Sequence, residues 1–210
     1  QMVSVNVINL ESENIVDIWE NVVERENLIT TKDTDGRFYL PAFNFNNIPR
    51  WNTEQGYWVK MVDSEEEEEV AHIDSLTMRG SRFVDPELPI PLEEGWSIVA
   101  YYPQDDIDAI TAFQNITGGE GFAPQENVLI QAKDDRGRFY LPAFFFNNIP
   151  PLTPKRGYQV KVSVEVDFIW NTGDVNVAST HPQTEIAFTQ HFTKIQFTNN
   201  NMSLLILSSI

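Results

Sequence analysis

The sequence predicts a mainly β protein (α+β) of two tandem, homologous small-sheet modules, with one short helix per repeat and a C-terminal strand extension. Residues 32–49 recur almost unchanged as residues 133–150, at a separation of 101 positions. Near-identity over so long a run indicates a duplicated unit. Each copy also contains short β-branched and aromatic runs between turn residues, which is typical of strands. One segment per copy has apolar residues at helical spacing.

Each copy predicts the same order of elements. In the first copy, residues 1–8 predict a strand and residues 13–23 an amphipathic helix. Residues 28–32 and 37–40 flank an Asp-rich turn that ends in Gly36, which is the signature of a hairpin. Further strands are predicted at residues 56–61 and 71–78. The second copy repeats this order with a strand at 97–103, a helix at 107–116, the hairpin at 129–141, and strands at 157–162 and 164–170.

These elements predict module 1 over residues 1–70, module 2 over residues 71–170, and a linker with a C-terminal strand segment over residues 171–210. Gly95 and Trp96 open the second copy and have no counterpart in the first, so the first module is predicted to lack its opening strand. The acidic run at residues 65–69 predicts a solvated loop, with cation binding as the alternative. Residues 85–91 are rich in proline and predict an extended linker.

Composition limits the classes of partner. The formal net charge is −17, and both nucleic acid and anionic membranes would repel such a chain. No apolar run reaches the roughly 18 residues of a membrane-spanning helix, so membrane insertion is not expected. The chain has no Cys, which excludes disulfides and thiolate sites. Because of the negative net charge, we expect no nucleic-acid partner.

No catalytic constellation is found, and we predict that the protein is not an enzyme. The sequence contains no HExxH, no GxSxG and no phosphate-binding glycine loop after a strand. His72, His181 and His191 are scattered and lack metal-ligand spacing. Asp33, Asp35, Asp134 and Asp135 have the oxygen chemistry of a Ca²⁺ site, the one cofactor considered. The EF-hand pattern is absent, which favours side-chain-stabilised turns for these four residues.

The aromatic residues of the repeat offer a second interpretation, a platform on which sugars stack. Alternation along strands predicts that about half of them fill the core. Trp51 and Trp58 are replaced by Leu152 and Gln159 in the second copy, and we expect these two to be the exposed stacking residues. The aromatic set comprises Phe38, Tyr39, Phe43, Phe45, Trp51, Tyr57, Trp58, Phe139, Tyr140, Phe144, Phe145, Phe146 and Tyr158.

The order of motifs resembles a tandem repeat of secreted multidomain cell-surface proteins from Bacteroidota-type bacteria, with the pattern GW(N/S)-I-x-(S/A), KDxxGxxYxP and GYQV. The resemblance covers most of residues 1–170 and implies an extracellular location without implying an enzymatic activity. The matching residues are Gly95, Trp96, Lys133, Asp134, Gly137, Tyr140, Pro142, Asn148, Ile149, Gly157 and Tyr158, with their first-copy partners between Lys32 and Tyr57.

Two functions are therefore expected. The first is a structural subunit of an extracellular assembly that polymerises head-to-tail with other copies of itself, by donating a strand into a filament. The apolar C-terminal segment would be the donor, and the strand at residues 1–8, left without its neighbour, would be the acceptor edge. The second is an adhesin module that binds cell-surface glycans. The donor residues are Met202, Ser203, Leu204, Leu205, Ile206 and Leu207, and the acceptor residues are Met2, Val3, Val5 and Val7.

Overall fold

The computed structural model describes residues 1–62, 73–117, 128–173 and 186–193. It confirms the predicted fold class, because two five-stranded antiparallel sheets dominate and the helices are few and short. The acidic run at residues 65–69 and the proposed donor residues 202–207 lie outside the described residues, as do His72 and His181.

The first module contains one helix and a five-stranded sheet. The strand order in this sheet is β1-β6-β3-β4-β5, and every neighbouring pair is antiparallel. A 3₁₀ turn at Pro41–Phe43 separates β4 from β5. The elements are β1 (Met2–Val3), β2 (Val7–Ile8), α1 (Ile15–Glu24), β3 (Leu28–Lys32), β4 (Phe38–Leu40), β5 (Phe45–Asn46), β6 (Tyr57–Met61), β7 (Ile73–Gly80) and β8 (Arg82–Phe83).

The second module repeats this sheet with the order β10-β14-β11-β12-β13. Its strands pair antiparallel, and β11 carries an irregularity between Leu129 and Gln131 that matches the one between Leu28 and Thr30 in β3. The elements are β9 (Ile90–Leu92), β10 (Gly95–Ala100), α2 (Ala109–Ala112), α3 (Gln114–Thr117), β11 (Leu129–Lys133), β12 (Phe139–Leu141), β13 (Phe146–Asn147), β14 (Gly157–Val162), β15 (Val166–Phe168) and, beyond the module, β16 (Ile186–Thr193).

The helices form where helical spacing predicts them. The helix of the first module is continuous, whereas that of the second module is interrupted. Asn14 caps α1 by accepting a hydrogen bond from the N–H of Val16 at 2.9 Å, and Ile15, Trp19 and Val22 form the buried face. In the second module the predicted single helix is broken into α2 and α3 at Phe113. The ring of Phe113 is fully buried and packs on Phe168, with ring centroids 5.5 Å apart.

Each module has its own hydrophobic core, and the cores correct the predicted domain boundary. Leu76 and Met78 of β7 belong to the first core, together with Trp19 of α1. Val84 already belongs to the second core. The boundary at residues 70/71 is therefore placed too early, because the strand at 73–80 buries Leu76 and Met78 in the first module.

Besides the short pair of β2 and β8, a two-stranded ribbon accompanies the sheet of each module, and these two ribbons are built differently. In the second module, β15 pairs antiparallel with β9, which directly precedes that module's opening strand. In the first module, β7 pairs antiparallel with β16, which comes from the other end of the described chain. The pairing runs over eight residues, from Ile186 opposite Gly80 to Thr193 opposite Ile73. The C-terminal segment thus supplies a strand to module 1.

The two modules pack through an interface with approximate two-fold symmetry. Val3 of the first opening strand forms a bridge with Arg156, and Val99 of the second forms the equivalent bridge with Gln55. Matching hydrogen bonds accompany both bridges, from the N–H of Ser4 to the carbonyl of Lys155 and from that of Ala100 to the carbonyl of Glu54, each at 3.1 Å. Each opening strand therefore pairs with the turn that precedes β6 or β14 of the other module.

The expected acceptor edge is not open, so the prediction that the first module lacks its opening strand is wrong. Met2 and Val3 pair with β6 on one side, and Val3 also bridges to Arg156 on the other. Val7 pairs with Phe83, and the side chains of Met2, Val3, Val5 and Val7 are all buried. The reason is the two-fold packing, in which module 2 fills the edge that sequence reasoning left free.

Candidate functional site

A cleft of about 160 Å³ lies where the two modules meet. A cavity of about 150 Å³ accommodates a benzene-sized ring, so this cleft has room for one ring of a ligand at a time. Its walls come from the outward faces of both sheets and from the Asp-rich turn of the first module. The lining residues are Lys32, Asp33, Thr34, Gly36, Trp58, Trp96, Ser97, Ile98 and Gln159.

Trp58 and Trp96 provide the aromatic surface of the cleft. In β6, Tyr57 and Val59 point into the core, so alternation places Trp58 between them on the outward face. Trp96 is the second residue of β10, lies opposite Lys161 and is 42% exposed. The two indoles come from different modules, and only the packing of the modules brings them to one cleft.

Two lysines hold the ring of Trp96 in a cationic environment. The Nζ of Lys133 lies 4.8 Å from the centroid of the indole, and that of Lys161 lies 5.8 Å from it. An ammonium group over an indole face is attracted by the electron density of the ring. Both lysines belong to strands next to or near β10, so the sheet register fixes their approach.

The polar wall of the cleft is a turn that is rigidly held. The N–H of Arg37 donates to Oδ1 of Asp33 at 2.8 Å, and its Nε donates to Oδ2 at 2.5 Å. Thr34 accepts a hydrogen bond on Oγ1 from the N–H of Ile98 at 2.9 Å and donates its own N–H to Gln55. The turn therefore joins the two modules and has little freedom to move.

Among the four Ca²⁺ candidates, the structure favours turns over a metal site. Asp134 repeats the arrangement of Asp33, accepting from the N–H and Nε of Arg138. Asp35 pairs with Arg37, and Asp135 pairs with Arg156 at 3.2 Å. Every candidate carboxylate thus has a guanidinium partner. In the described part of the chain, no three His, Asp or Glu side chains gather as a metal site would require.

The expectation that Trp51 is exposed is wrong. Its side chain is 2% exposed and stacks on the ring of Tyr57, with centroids 4.0 Å apart. The irregular segment between β5 and β6 folds back over the first core, and the N–H of Trp51 donates to the carbonyl of Glu13 ahead of α1. Of the two predicted stacking residues, only Trp58 reaches the cleft.

Each module also exposes an aromatic tip after its 3₁₀ turn. Phe43 is 78% exposed and Phe144 is 76% exposed. Phe145 is 99% exposed, and its backbone has a φ of 51°, where the first module has Asn44 with a φ of 48°. Left-handed backbone is well tolerated by Asn and costly for a bulky side chain. Folding alone therefore does not account for phenylalanine at position 145.

Sequence reasoning missed Trp96 and Gln159 as parts of the site. Trp96 was recognised as part of a repeat motif, and Gln159 only as the residue that replaces Trp58. A usable signal was present, because Trp96 directly follows Gly95 and faces outward in any strand that buries Val99. Among the rest of the aromatic set, Tyr39, Tyr57, Tyr140 and Tyr158 are buried. With Trp51, five of the thirteen aromatic residues are buried, which is fewer than the half that alternation predicted.

Comparison with protein-family models, with curated proteins and with solved structures finds no match. The class of the protein therefore follows from its fold and site alone. It is a mainly β protein of two duplicated modules, with an aromatic and polar cleft at their junction. Among the described residues, no helix is both long and apolar enough to span a bilayer.

Proposed function

We propose that this protein is a non-enzymatic, extracellular surface module that binds carbohydrate in the cleft between its two modules. The observation that carries the proposal is the meeting of Trp58 and Trp96 in one partly open cleft beside polar side chains. Specific small-ligand sites combine an apolar, aromatic wall with a few placed polar groups. The extracellular location rests on the resemblance to secreted surface repeats.

Carbohydrate fits this wall better than other small ligands do. A sugar ring has an apolar C–H face that stacks on an indole and a rim of hydroxyls that needs hydrogen-bond partners. Trp58 and Trp96 offer the first, while Gln159 and Lys32 offer the second. The rigid turn at Asp33 and Thr34 reduces the entropy lost on binding, because that part of the site is already organised.

Replacing Trp58 with alanine is expected to weaken glycan binding at least roughly tenfold, because a stacked aromatic contributes about 1.4 kcal/mol. The measurement is a glycan array followed by titration calorimetry on the glycans retained. The matched control is Phe43→Ala, which removes an exposed aromatic residue outside the cleft lining. Equal affinity of the Trp58→Ala variant and the parent would contradict the cleft as the site.

A second candidate function is a filament-forming structural subunit, and the pairing of β16 with β7 favours it. In the second module, β15 pairs with β9, which belongs to the same module. In the first module, β7 pairs instead with β16, a strand that follows both modules in the chain. An eight-residue strand of this kind can pair with β7 of its own chain or of a neighbouring copy. Donation to a neighbour links copies head-to-tail without closure.

A synthetic peptide of residues 186–193 is expected to shorten filaments if β16 is exchanged between copies, because it competes for β7 of the next copy. Electron microscopy of the purified full chain, with the peptide and with a scrambled version of it, measures filament length. A full chain that stays monomeric at every concentration tested contradicts this candidate and leaves the carbohydrate proposal standing.

A further inference from the structure

We propose that the ligand is an anionic polysaccharide, a sugar chain carrying carboxylate or sulfate groups, held across the cleft and the two lysine-bearing sheet faces that adjoin it. This inference rests on the carbohydrate-binding function proposed above and specifies its ligand class. It reverses, for this one surface, the expectation that an acidic protein avoids anionic partners.

Charge is strongly segregated between the sheets and the rest of the chain. The protein has 31 Asp and Glu residues, yet none lies in any of the ten strands of the two five-stranded sheets. Four of the six lysines in the sequence do lie in these strands. They are Lys32, Lys60, Lys133 and Lys161. The sheets are therefore cationic in a molecule whose formal net charge is −17.

Folding requirements do not produce this distribution. Glu and Lys are both moderately disfavoured in strands, so strand propensity would not keep one and exclude the other. Lysine also protects the edges of sheets against aggregation. Here, however, the four lysines occupy β3, β6, β11 and β14, which are all interior strands of their sheets. A role in binding accounts for their placement, whereas edge protection does not.

The lysines lie beside the aromatic residues of the cleft. Lys32 lines it directly and is the register partner of Trp58 in the neighbouring strand. Lys133 and Lys161 approach the ring of Trp96 to 4.8 Å and 5.8 Å. A sugar ring stacked on either indole would thus have an ammonium group within reach of an anionic substituent. Each module thus contributes one indole with a lysine beside it: Trp58 with Lys32 in the first, and Trp96 with Lys133 and Lys161 in the second.

The carboxylate in the lining does not cancel this charge. Asp33 is buried, and both of its oxygens accept hydrogen bonds from Arg37. The guanidinium of Arg37 also pairs with Asp35, so these three side chains carry one net negative charge, which Lys32 offsets. The net positive charge that an anionic ligand meets therefore comes from Lys133 and Lys161 beside Trp96.

The same faces extend the site beyond one ring. Phe38 and Phe45 pack with centroids 5.2 Å apart, and Phe139 and Phe146 repeat this spacing. Lys133 is the register partner of Phe139, so the two lysine-bearing strands β14 and β11 lie between Trp96 of β10 and the aromatic pair of β12 and β13. Five strands at a spacing of about 4.8 Å span about 19 Å. This length is sufficient for several sugar units of a polymer. A polymeric ligand would therefore contact the faces of the two sheets as well as the cleft.

The decisive experiment measures the affinity of the full chain for polygalacturonate, its fully methyl-esterified neutral form and a sulfated galactan, at low and high salt. We expect the carboxylated or the sulfated polymer to bind at least tenfold more tightly than the neutral form. We also expect the difference to shrink as salt rises, because exposed ion pairs are screened. Which of the two anionic polymers binds better identifies the anionic group.

The double variant Lys133→Met and Lys161→Met tests whether these two lysines bind the anionic groups of the ligand. It is expected to lose at least tenfold in affinity for the anionic polymer and to keep its affinity for the neutral one. The control is Arg50→Met, which removes an exposed positive charge away from the two sheets. Circular dichroism and thermal melting of each variant establish that the fold is retained.

The outcomes separate this inference from the proposed function. Equal binding of the neutral and anionic polymers overturns the anionic ligand and keeps carbohydrate binding. No binding to any glycan overturns both proposals. Binding of single-stranded DNA as tight as that of the anionic glycan overturns the sugar specificity, since the site would then recognise polyanions in general.

Discussion

Replacing Gly56 with alanine is expected to destabilise the protein by about 3 kcal/mol, because overpacking at a site closed by backbone has no cheap relaxation. A Cβ atom at this position would lie 2.8 Å from Cγ2 of Ile98, 2.9 Å from Cα of Gly157 and 3.2 Å from the carbonyl oxygen of Val3. Two of these three neighbours are backbone atoms. The modules must therefore separate to admit the methyl group.

The repeat itself provides a graded comparison. At Gly157 the nearest atoms to an added Cβ are Cα of Gly56 and the carbonyl oxygen of Val3, both at 3.2 Å. Gly157→Ala should therefore lower the free energy of unfolding less than Gly56→Ala does. Both should lower it more than Gly36→Asn does. A Cβ atom added at Gly36 would have no neighbouring atom within 4 Å. The φ of Gly36 is +78°, a backbone conformation that Asn tolerates.

Urea unfolding at neutral pH measures all three variants. Loss of the interface should also broaden or split the transition, because each module has its own core and can then unfold separately. If Gly56→Ala unfolds at the urea concentration of the parent, the close packing of the two modules at this point is contradicted.

The stability of the protein is expected to fall steeply between about pH 10 and pH 12. Burial raises the pKa of Tyr57 and of Tyr158 from 10.0 to about 12. Burial also raises the pKa of Tyr101 and Tyr102 well above the ordinary value. The folded protein therefore keeps phenolic protons that the unfolded chain releases above pH 10, and stability is lost as pH rises through this window.

The magnitude follows from linkage. Each tyrosine that is protonated only in the folded state removes about 1.4 kcal/mol of stability per pH unit. Tyr57 and Tyr158 together account for about 5 kcal/mol by pH 12 on this basis, and the other two steepen the fall. This loss is comparable with the whole stability of a small domain.

Urea unfolding at pH 8, 9, 10 and 11, with phenolate absorbance recorded in parallel, tests this expectation. The double variant Tyr57→Phe and Tyr158→Phe should show a shallower dependence on pH. It should also be less stable at pH 8, because the N–H groups of Asn52 and Thr153 lose their hydroxyl acceptors. Tyrosines that ionise near pH 10 in the still-folded protein would contradict the prediction.

Local elements were predictable where a short-range signal was sufficient. The hairpin around Gly36 requires a positive φ and an Asp acceptor, and both are present in the sequence and in the structure. The helix α1 follows from its apolar spacing and its Asn14 cap. The boundary at residue 70 could not be placed correctly, because the burial of Leu76 depends on α1, far away in the chain.

The candidate site was predictable only in part. Trp58 was identified because it differs between the copies, and its exposure follows from alternation in β6. Trp51 shared the same signal, yet it is buried by stacking on Tyr57. No local pattern distinguishes the two residues, since the segment around Trp51 is irregular and has no alternation to read.

The sequence by itself determined that the chain consists of two copies of one small β-sheet unit and that Gly56 and Gly157 recur in register. Only the tertiary structure decided what these features do together. It joins Trp58 to Trp96, places the two glycines in contact and brings β16 to β7. The physical reason is that local patterns set the elements of each module, whereas packing between distant segments sets what meets at their junction.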